Sequence, residues 1–459
     1  MLLRNLFLII VLAISITGCR TQEIQEIQEI QEIIDPETLD EVTIEDLLML
    51  DQNHKNYITQ LKPNQKIIPT EFHLTLERKY REKFLTPWKS TRASISIKTV
   101  KKQFNQLKQD DTVGENKQKI SDDWIQKLTK NANLDRYPNY TKTGITIANT
   151  NLRLLPTHKP IFKEFSDNSN GYPFDNNQNS KLPANTPILI THITADNAWV
   201  LVETPYAFGW VPIRDIAYAG KNFKKKFKMY RNYIAVTKDD FGIKTKSGTY
   251  LYQGFIGMSF PLIKEYKRSY EVITSRANSS RWAYIDRAFI LKTKAKRKPF
   301  SLTNENIGLI CDNLINQPYG WGELYYNRDC SAMIRDLFAP FSIWLPRNSQ
   351  AQAKHGGVFI DISEMEENQK EKFIIENGIP YLTLLWFPGH IMLYIGEKES
   401  KSLVFHNIWG LRTNDKLKRK IIGKAVITSL KPGKELPNID DSYNFLNRLE
   451  GMTLLIPRY

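Results

Sequence analysis

The sequence predicts a multidomain protein with a helical N-terminal region, one or two small β-barrels and a C-terminal α+β domain. A chain of 459 residues is too long for a single core. Helix-capping patterns mark residues 43–140, and short β-rich runs broken by Pro, Gly and Asn follow them. We expect the barrels at residues 141–222 and 223–298. Residues 299–459, where helical spacing gives way to alternating strands, are predicted to form the α+β domain.

Residues 1–18 have the composition of an export signal. Arg4 supplies a short basic start, an apolar run extends from Leu6 to Ile16, and small residues precede Cys19. The apolar run is about half of the roughly 20 residues that cross a bilayer as a helix, so a transmembrane segment is the weaker alternative. A short buried core helix is the other alternative.

The end of this signal resembles the lipobox of bacterial lipoproteins. Ile16-Thr17-Gly18-Cys19 matches the pattern in which cleavage before the cysteine leaves that cysteine diacylated. The resemblance implies lipidation at Cys19 and an exported protein that is anchored to a membrane and faces the periplasm or cell wall. A signal without lipidation is the alternative. The residue directly after this cysteine is Arg20 and not Asp. By analogy with lipoproteins of bacteria with two membranes, this favours the outer membrane.

Residues 19–42 are predicted to form a tether. Between Gln22 and Ile33 the unit Gln-Glu-Ile repeats four times, and Asp35-Pro36 follows. The period of three drifts from the helical 3.6, which favours an extended spacer over a stable helix. A short coiled or partner-binding helix is the alternative.

The net charge of +15 indicates an anionic counterpart. Export makes nucleic acid an improbable partner, and the Lys and Arg residues are scattered rather than gathered among aromatic residues. We therefore expect no nucleic-acid binding, and an anionic wall polymer or membrane surface as the counterpart. Simple solubility is the alternative. We expect a monomer that needs no cofactor.

Two capping patterns support the helical region. Thr43 with Asp46 three residues later precedes several leucines, and Ser121 precedes the apolar-periodic Trp124, Ile125 and Leu128. From Gly144 onward the sequence consists of short runs of β-forming residues. Two stretches resemble bacterial SH3-like wall-binding domains, Asn151-Leu152-Arg153-Leu154-Leu155-Pro156 and Gly209-Trp210-Val211-Pro212. A second β-rich run, from about residue 227 to 291, is predicted to be a second SH3-like copy on weaker signals.

Cys330 is the candidate nucleophile. It follows Asp329 and precedes the apolar-periodic Ala332, Met333 and Leu337, so it lies at a predicted helix start, where the helix dipole is expected to lower a thiol pKa. The remaining cysteine, Cys311, lies in a helical pattern and is predicted to be a buried apolar residue. A Cys311–Cys330 disulfide is the alternative.

His390 is the candidate base. It opens an alternating strand after a turn, which is expected to present it at a sheet edge without burying it. His406 lies in the next β-type run, so a hairpin would bring the two rings side by side. His355 is the rival base because it is only 25 residues from Cys330. No His-Glu-x-x-His or paired-Cys spacing occurs, so no metal site is predicted.

Several motifs in order resemble the NlpC family of papain-like cysteine peptidases over residues 300–430. They are Tyr319-x-Trp321-Gly322, Asp329-Cys330-Ser331, Leu345-Pro346-Arg347-Asn348-Ser349-x-x-Gln352, Gly389-His390 and the later His406. The resemblance implies an α+β papain-like domain with Cys330, His390 and His406 as a triad. It also implies substrate binding by Tyr319, Trp321, Asp329, Ser331 and Ser349. Glu323 departs from the family, because a second glycine is frequent at that position.

The implied function is hydrolysis of peptidoglycan stem peptides, at the bond between γ-linked D-glutamate and an L-diamino acid. Acyl transfer through a Cys330 thioester would carry it out. Arg347 has two interpretations, binding a substrate carboxylate or bracing its loop. Two alternatives remain open for the whole chain: a non-catalytic wall-binding lipoprotein that uses its SH3-like domains, and an acyltransferase or amidase on the same scaffold.

Overall fold

The protein is described by a computed structural model over residues 44–109, 112–163, 171–415 and 418–456. The predicted signal, the tether and Cys19 lie outside the described residues. Within these ranges, no helix combines the length and apolar character needed to cross a membrane.

Five α-helices form the N-terminal region: α1 Glu45–Met49, α2 His54–Ile58, α3 Thr70–Phe84, α4 Ile97–Gln109 and α5 Asp122–Ala132. The predicted cap of α5 is confirmed, because the Ser121 hydroxyl accepts a hydrogen bond from the Trp124 N–H at 3.3 Å. The other predicted cap depends on Thr43, which lies outside the described residues. The Asp46 carboxylate accepts hydrogen bonds from the Ser429 backbone N–H and hydroxyl, which fastens α1 to the last domain.

These helices bury their apolar side chains against the domains that follow. Ile58 and Ile68 belong to the core of the C-terminal domain. Phe104 of α4 packs with the first barrel, and Trp88 lies in a cluster shared by both barrels. Since the burial of apolar side chains is the main favourable term in packing, the helices stabilise the contacts between domains.

The first barrel is an antiparallel sheet in the order β3-β2-β6-β5-β4-β1-β7. Its strands are β1 Lys142–Thr146, β2 Thr150–Arg153, β3 Gln178–Leu182, β4 Pro187–Ile193, β5 Trp199–Glu203, β6 Phe208–Pro212 and β7 Ile216–Tyr218. Val200 and Val202 face the barrel core, whereas Trp199 and Leu201 face the helices. Because side chains alternate along a strand, β5 is buried on both faces, which explains its unbroken apolar sequence.

The second barrel follows helix α6 Lys221–Met229 and has a core of its own that includes Phe260 and Val272. Its antiparallel order is β10-β9-β13-β12-β11-β8-β14. The strands are β8 Tyr233–Val236, β9 Phe241–Thr245, β10 Tyr250–Gly254, β11 Ser259–Glu265, β12 Ser269–Ala277, β13 Ala283–Leu291 and β14 Ala295–Arg297. Of the predicted one or two barrels, the described chain therefore has two.

The C-terminal domain packs helices against a six-stranded antiparallel sheet in the order β15-β20-β16-β17-β18-β19. Its helices are α7 Asn304–Leu314, α8 Cys330–Phe338, α9 Ser349–His355, α10 Glu367–Asn377 and α11 Phe445–Arg448. Its strands are β15 Val358–Asp361, β16 Thr383–Phe387, β17 His390–Lys398, β18 Lys401–Arg412, β19 Arg419–Ser429 and β20 Gly451–Leu454. The predicted α+β class is confirmed.

Helix α8 is the centre of this domain. Every one of its residues is buried, and it packs against β17 and β18. Its first residue is Cys330, and the first residue of β17 is His390. The fold therefore brings the start of the central helix to the start of a central strand.

Candidate active site

Cys330 opens helix α8, as predicted. Asp329 caps the helix, and its carboxylate accepts the Ala332 N–H at 2.8 Å. The aspartate that holds the helix start thereby also sets the position of the thiol, since the capping bond fixes the backbone on both sides of Cys330.

The acidity of Cys330 differs from the expectation. Burial and the neighbouring Asp329 charge raise the pKa of the thiol to about 12. Hydrogen bonds from the backbones of Ile391 and Ser331 and the charge of Arg347 oppose this rise without cancelling it. The expectation of a lowered pKa is therefore wrong, because burial outweighs the helix dipole. A protonated resting thiol needs a base beside it.

His390 and His406 lie side by side on neighbouring antiparallel strands. His390 Nε2 and His406 Nδ1 are 2.8 Å apart, as the predicted hairpin required. His390 is only 9% exposed and packs against the rings of Phe387 and Phe445 at 5.5 and 5.9 Å, so the expectation of an unburied sheet-edge histidine is wrong. These aromatic rings hold the imidazole in one orientation.

A chain of hydrogen bonds determines which nitrogen of His390 carries the proton. The Thr428 hydroxyl donates to the Ser429 carbonyl at 2.8 Å, so its oxygen accepts from His406 Nε2 at 3.0 Å. His406 Nδ1 is then the acceptor for the His390 Nε2–H. His390 Nδ1 is left with a free lone pair, which is the form a general base needs.

Both histidines are neutral in the resting site. Burial, with a smaller effect of the Arg448 charge, lowers the pKa of His390 to about 3. Burial and the neighbouring His390 lower the pKa of His406 well below its usual value. The structure thus holds a neutral thiol and a neutral imidazole rather than a preformed ion pair.

The other histidines have different surroundings. His355, the rival base, is exposed at the last turn of α9, about 9 Å along the helix from Ser349 in the cleft. His54 bonds the Tyr381 hydroxyl, His73 the Phe341 carbonyl and His192 the Ala132 carbonyl.

The predicted substrate-binding residues lie together. Tyr319, Trp321, Asp329, Ser331 and Ser349 line one cleft of about 590 Å³ together with Cys330. That volume lies in the range of small-ligand sites. Other lining residues come from outside the domain, and sequence reasoning did not identify them: Gln103 and Gln106 of α4, and Leu154, Asn176, Gln178 and Asn179 of the first barrel.

Tyr319 and Trp321 present different groups to the cleft. Burial and the neighbouring Cys330 and Asp329 raise the pKa of Tyr319 well above its usual value, so its phenol stays protonated. Trp321 is 38% exposed and meets the ring of Phe174 edge to face at 5.2 Å. The first can donate a hydrogen bond, and the second offers a flat apolar surface.

Arg347 is held beside Cys330 and also lines the cleft. Its guanidinium pairs with Asp329 at 2.7 Å and donates to the Ser331 hydroxyl at 3.0 Å. The same side chain lies 3.2 Å from Glu323. These contacts favour the bracing interpretation of Arg347, and the residues on both sides of Cys330 share this one cation.

Glu323 shows why the family glycine is dispensable here. Its φ is +64°, a left-handed conformation that favours glycine. Its carboxylate is fully buried, lies 2.9 Å from Arg335 and 3.4 Å from Lys181, and accepts the Ser180 hydroxyl at 2.7 Å. These ion pairs, of which the one with Lys181 joins the first barrel, offset the backbone strain.

The ion network continues into the second barrel. Arg328 pairs with Asp336 at 2.8 Å and with Asp239 at 2.5 Å. Burial raises the pKa of Asp239, but the Arg328 charge and its hydrogen bonds outweigh burial and lower it. Arg328, two positions before Cys330, therefore forms an ion pair with a residue of the second barrel.

Both described cysteines are free, so the alternative disulfide is not formed, and Cys311 is buried as predicted. Across residues 44–109, 112–163, 171–415 and 418–456, no group of three or more His, Cys, Asp or Glu side chains is placed to hold a metal ion.

Comparison with known families gives four matches along the chain. Residues 7–137 match the N-terminal NLPC_P60 stabilising domain, and residues 316–414 match the NlpC/P60 family. Residues 160–212 match an SH3 domain of the SH3b1 type, and residues 222–267 match one of the SH3b2 type. No curated protein sequence matches the chain.

The chain was also compared with solved structures. A structure described as a novel NlpC/P60 endopeptidase from Photobacterium damselae subsp. piscicida has a TM-score of 0.80 and 23% identity, with 88% of this chain and 97% of that chain covered. An NlpC/P60 family protein from Bacillus cereus has a TM-score of 0.44 and 16% identity, with 61% and 83% of the two chains covered. The first likeness shows a shared fold over nearly the whole molecule.

Proposed function

Since the chain belongs to the NlpC/P60 family and is a cysteine peptidase of that family, we propose that it hydrolyses peptidoglycan stem peptides with a Cys330–His390–His406 triad. The observation that carries this proposal is the hydrogen-bond order from Ser429 through Thr428 and His406 to His390. It leaves His390 Nδ1 unprotonated on the strand whose next residue, Ile391, hydrogen-bonds the thiol.

In the first step, the Cys330 sulfur attacks the amide carbonyl as its proton moves to His390 Nδ1. A thiol pKa of about 12 and an imidazole pKa of about 3 favour transfer during attack, not before it. The imidazolium that forms is stabilised by the His406 acceptor. Backbone N–H groups at the start of α8 and the Tyr319 hydroxyl are the donors for the oxyanion.

In the second step, the tetrahedral intermediate collapses and the C–N bond breaks. The proton on His390 Nδ1 passes to the leaving amine, which gives a thioester on Cys330. A water molecule then gives a proton to His390 and attacks the thioester. The acid product leaves, and the proton returns to sulfur, so the thiol and the neutral base are restored.

The scissile bond that we propose is the one between γ-linked D-glutamate and the L-diamino acid. The part of the peptide that forms the acyl-enzyme would occupy the cleft along Trp321, Ser331 and Ser349. Polar side chains from α4 and the first barrel cover that cleft from the other side, which suits a short peptide better than a polymer.

We also propose that the protein is exported, lipidated at Cys19, anchored to a membrane and monomeric. The lipobox-like Ile16-Thr17-Gly18-Cys19 supports the anchor, and the repeats of residues 19–42 support a spacer between membrane and catalytic domain. Metabolic labelling of the full chain with a palmitate analogue tests the anchor. Label in the wild type and none in Cys19→Ala is the expected result.

The function is tested by incubating the protein without its signal with L-Ala-γ-D-Glu-diamino acid peptides and identifying the products by mass spectrometry. We expect release of L-Ala-D-Glu by the wild type and none by Cys330→Ala. His390→Ala is expected to lose nearly all turnover, whereas His406→Ala keeps more. Cys311→Ala is the matched control and retains full activity. If no peptide is cleaved in a Cys330-dependent way, the proposal falls and a wall-binding role takes its place.

A further inference from the structure

A second pocket beside the reaction centre is lined by arginines. Arg412 ends β18, Arg419 begins β19, and Arg448 ends α11, and all three line it around Tyr443. The guanidinium of Arg412 lies 4.5 Å from the Tyr443 ring and that of Arg448 lies 3.9 Å from it. Three separate elements thus direct a cation to one place.

This arrangement costs stability in the absence of a ligand. Arg412 and Arg419 are direct cross-strand partners in the antiparallel pair, a position where like charges destabilise a sheet. Burial together with the neighbouring arginines lowers the pKa of Arg448, and the pKa of Arg419 is lowered in the same way. Within the described residues, neither Arg412 nor Arg448 forms a salt bridge. Such a cluster indicates an anion site.

Other charged side chains also line the pocket. Lys431 and Lys434 add to the cations, and Lys431 already pairs with Glu367. Two carboxylates, Asp440 and Asp441, also line the pocket, against five cationic side chains.

The pocket adjoins the reacting atoms on the side of the base. Arg448 donates to the Pro388 carbonyl at 3.4 Å, and the next residue, Gly389, lines the catalytic cleft. The guanidinium of Arg448 also lies 4.1 Å from the ring of Phe387, which packs against His390. Phe445, another wall of the pocket, contacts both catalytic rings. The side chain of Phe445 therefore contacts His390 and also forms part of the pocket wall.

We propose that this arginine pocket, Arg412, Arg419 and Arg448 around Tyr443, binds a carboxylate on the leaving portion of the substrate. The inference rests on the proposed function. The base that protonates the leaving amine must lie on the leaving side, and the arginines lie beyond that base. Planar guanidinium groups bind carboxylates through paired hydrogen bonds, so the carboxylate would relieve the repulsion between the arginines and fix the leaving amine near His390.

Two carboxylates of a diamino-acid peptide meet this description, the C-terminal one and one on the side chain. L-Ala-γ-D-Glu-L-Lys has only the C-terminal carboxylate on its leaving portion, and its C-terminal amide has none. L-Ala-γ-D-Glu-diaminopimelate has both, and each can be amidated separately. Steady-state kinetics on this peptide set separates the two sources.

The variants are Arg412→Gln, the conservative Arg412→Lys, and Arg276→Gln on β12 as the matched surface control. We expect the wild type to favour the peptide with the bound carboxylate by about tenfold in kcat/KM over its amide, as for a charge-assisted hydrogen bond. Arg412→Gln is expected to bring that ratio close to one, chiefly by lowering kcat/KM for the acid. Arg412→Lys keeps part of the preference, and Arg276→Gln keeps all of it.

The outcomes separate this inference from the proposed function. Equal cleavage of every acid and amide by the wild type overturns the arginine-pocket inference while the peptidase stands. A preference that survives in Arg412→Gln overturns it as well. A loss of kcat/KM shared equally by acid and amide shows a structural role for Arg412 and also overturns it. Absence of Cys330-dependent cleavage from the whole peptide set contradicts the proposed function itself.

Discussion

At the scale of single residues, the proposed chemistry depends on where protons sit before the reaction begins. Thr428, which no motif in the sequence marks, determines the tautomer of His406 because its own proton is committed to the Ser429 carbonyl. His406 in turn determines the tautomer of His390. The base on β17 is therefore prepared by residues of two further strands, β18 and β19.

Replacing Thr428 by valine tests this order. Thr428→Val keeps the shape of the side chain and removes the acceptor for His406 Nε2, so part of the His390 population takes the wrong tautomer. We expect kcat to fall by about tenfold or more while KM changes little. Thr428→Ser is the control and retains most activity. Equal kcat in Thr428→Val and the wild type would remove Thr428 from the mechanism.

The pKa of His390 predicts the acid side of the pH profile. A free histidine with a pKa of about 6.5 loses its base form as the pH falls to 6. Burial and Arg448 lower the pKa of His390 to about 3, so the base stays neutral well below that pH. We expect kcat/KM to remain level between pH 7.5 and about 5, with circular dichroism showing an intact fold. A midpoint near pH 6.5 in kcat/KM would contradict the pKa assigned to His390.

At the scale of elements, the sequence predicts what is local. Helix spacing and the Asp-Cys-Ser motif were enough to place Cys330 at a helix start, and alternation was enough to place His390 and His406 on neighbouring strands. Burial could not be predicted in this way, since it depends on contacts such as those of Phe445, a residue 55 positions after His390. The predicted lowering of the Cys330 pKa was wrong because it did not take the burial of the thiol into account.

The conformation of the segment that leads into α8 was also not predicted from the sequence. Glu323 occupies a glycine-like conformation, and its cationic partners include Lys181, a residue 142 positions earlier in the chain. Pattern reasoning identified Glu323 as a departure from the family but not the ion network that makes it tolerable. Long-range pairing leaves no local pattern to find.

Removing the Glu323 charge is expected to destabilise the fold. Glu323→Gln leaves Lys181, Arg335 and Arg347 buried with one carboxylate fewer, and breaking a buried pair typically costs about 3–5 kcal/mol. Urea unfolding measures the loss. Asp286→Asn, which breaks a pair with the half-exposed Arg276, is the control and is expected to cost about 1 kcal/mol or less. Similar losses in both variants would show that the buried network has no special role.

The same pair predicts a pH dependence of stability. Burial raises the pKa of Glu323, but Arg335, Lys181 and Arg347 outweigh burial and lower it below the unfolded value. A depressed folded pKa gives stability that is present above the unfolded pKa and is lost as the pH falls below it. The difference in free energy of unfolding between the wild type and Glu323→Gln is therefore expected to shrink below about pH 4.3. A difference that stays constant from pH 7 to pH 3 would contradict this linkage.

At the scale of the whole molecule, the catalytic cleft is a product of domain assembly. One side comes from the C-terminal domain, and the other comes from α4 and the first barrel. Apolar contacts of α2 and α3 and the ion network from Asp239 to Asp329 hold these parts together. Helix-capping patterns and β-rich runs in the sequence indicated the separate domains. The shared cleft could not be predicted in this way, because it depends on how the domains are arranged in space.

The central claim is that Cys330 forms a thioester with the acyl part of a stem peptide. Intact-protein and peptide mass spectrometry on samples acid-quenched within milliseconds of mixing with L-Ala-γ-D-Glu-diamino acid tests it most directly. We expect the mass of an L-Ala-D-Glu acyl group on the peptide that contains Cys330, and none in Cys330→Ala. Peptide hydrolysis that proceeds normally in Cys330→Ala, or an acyl group found on Cys311 instead, would contradict it.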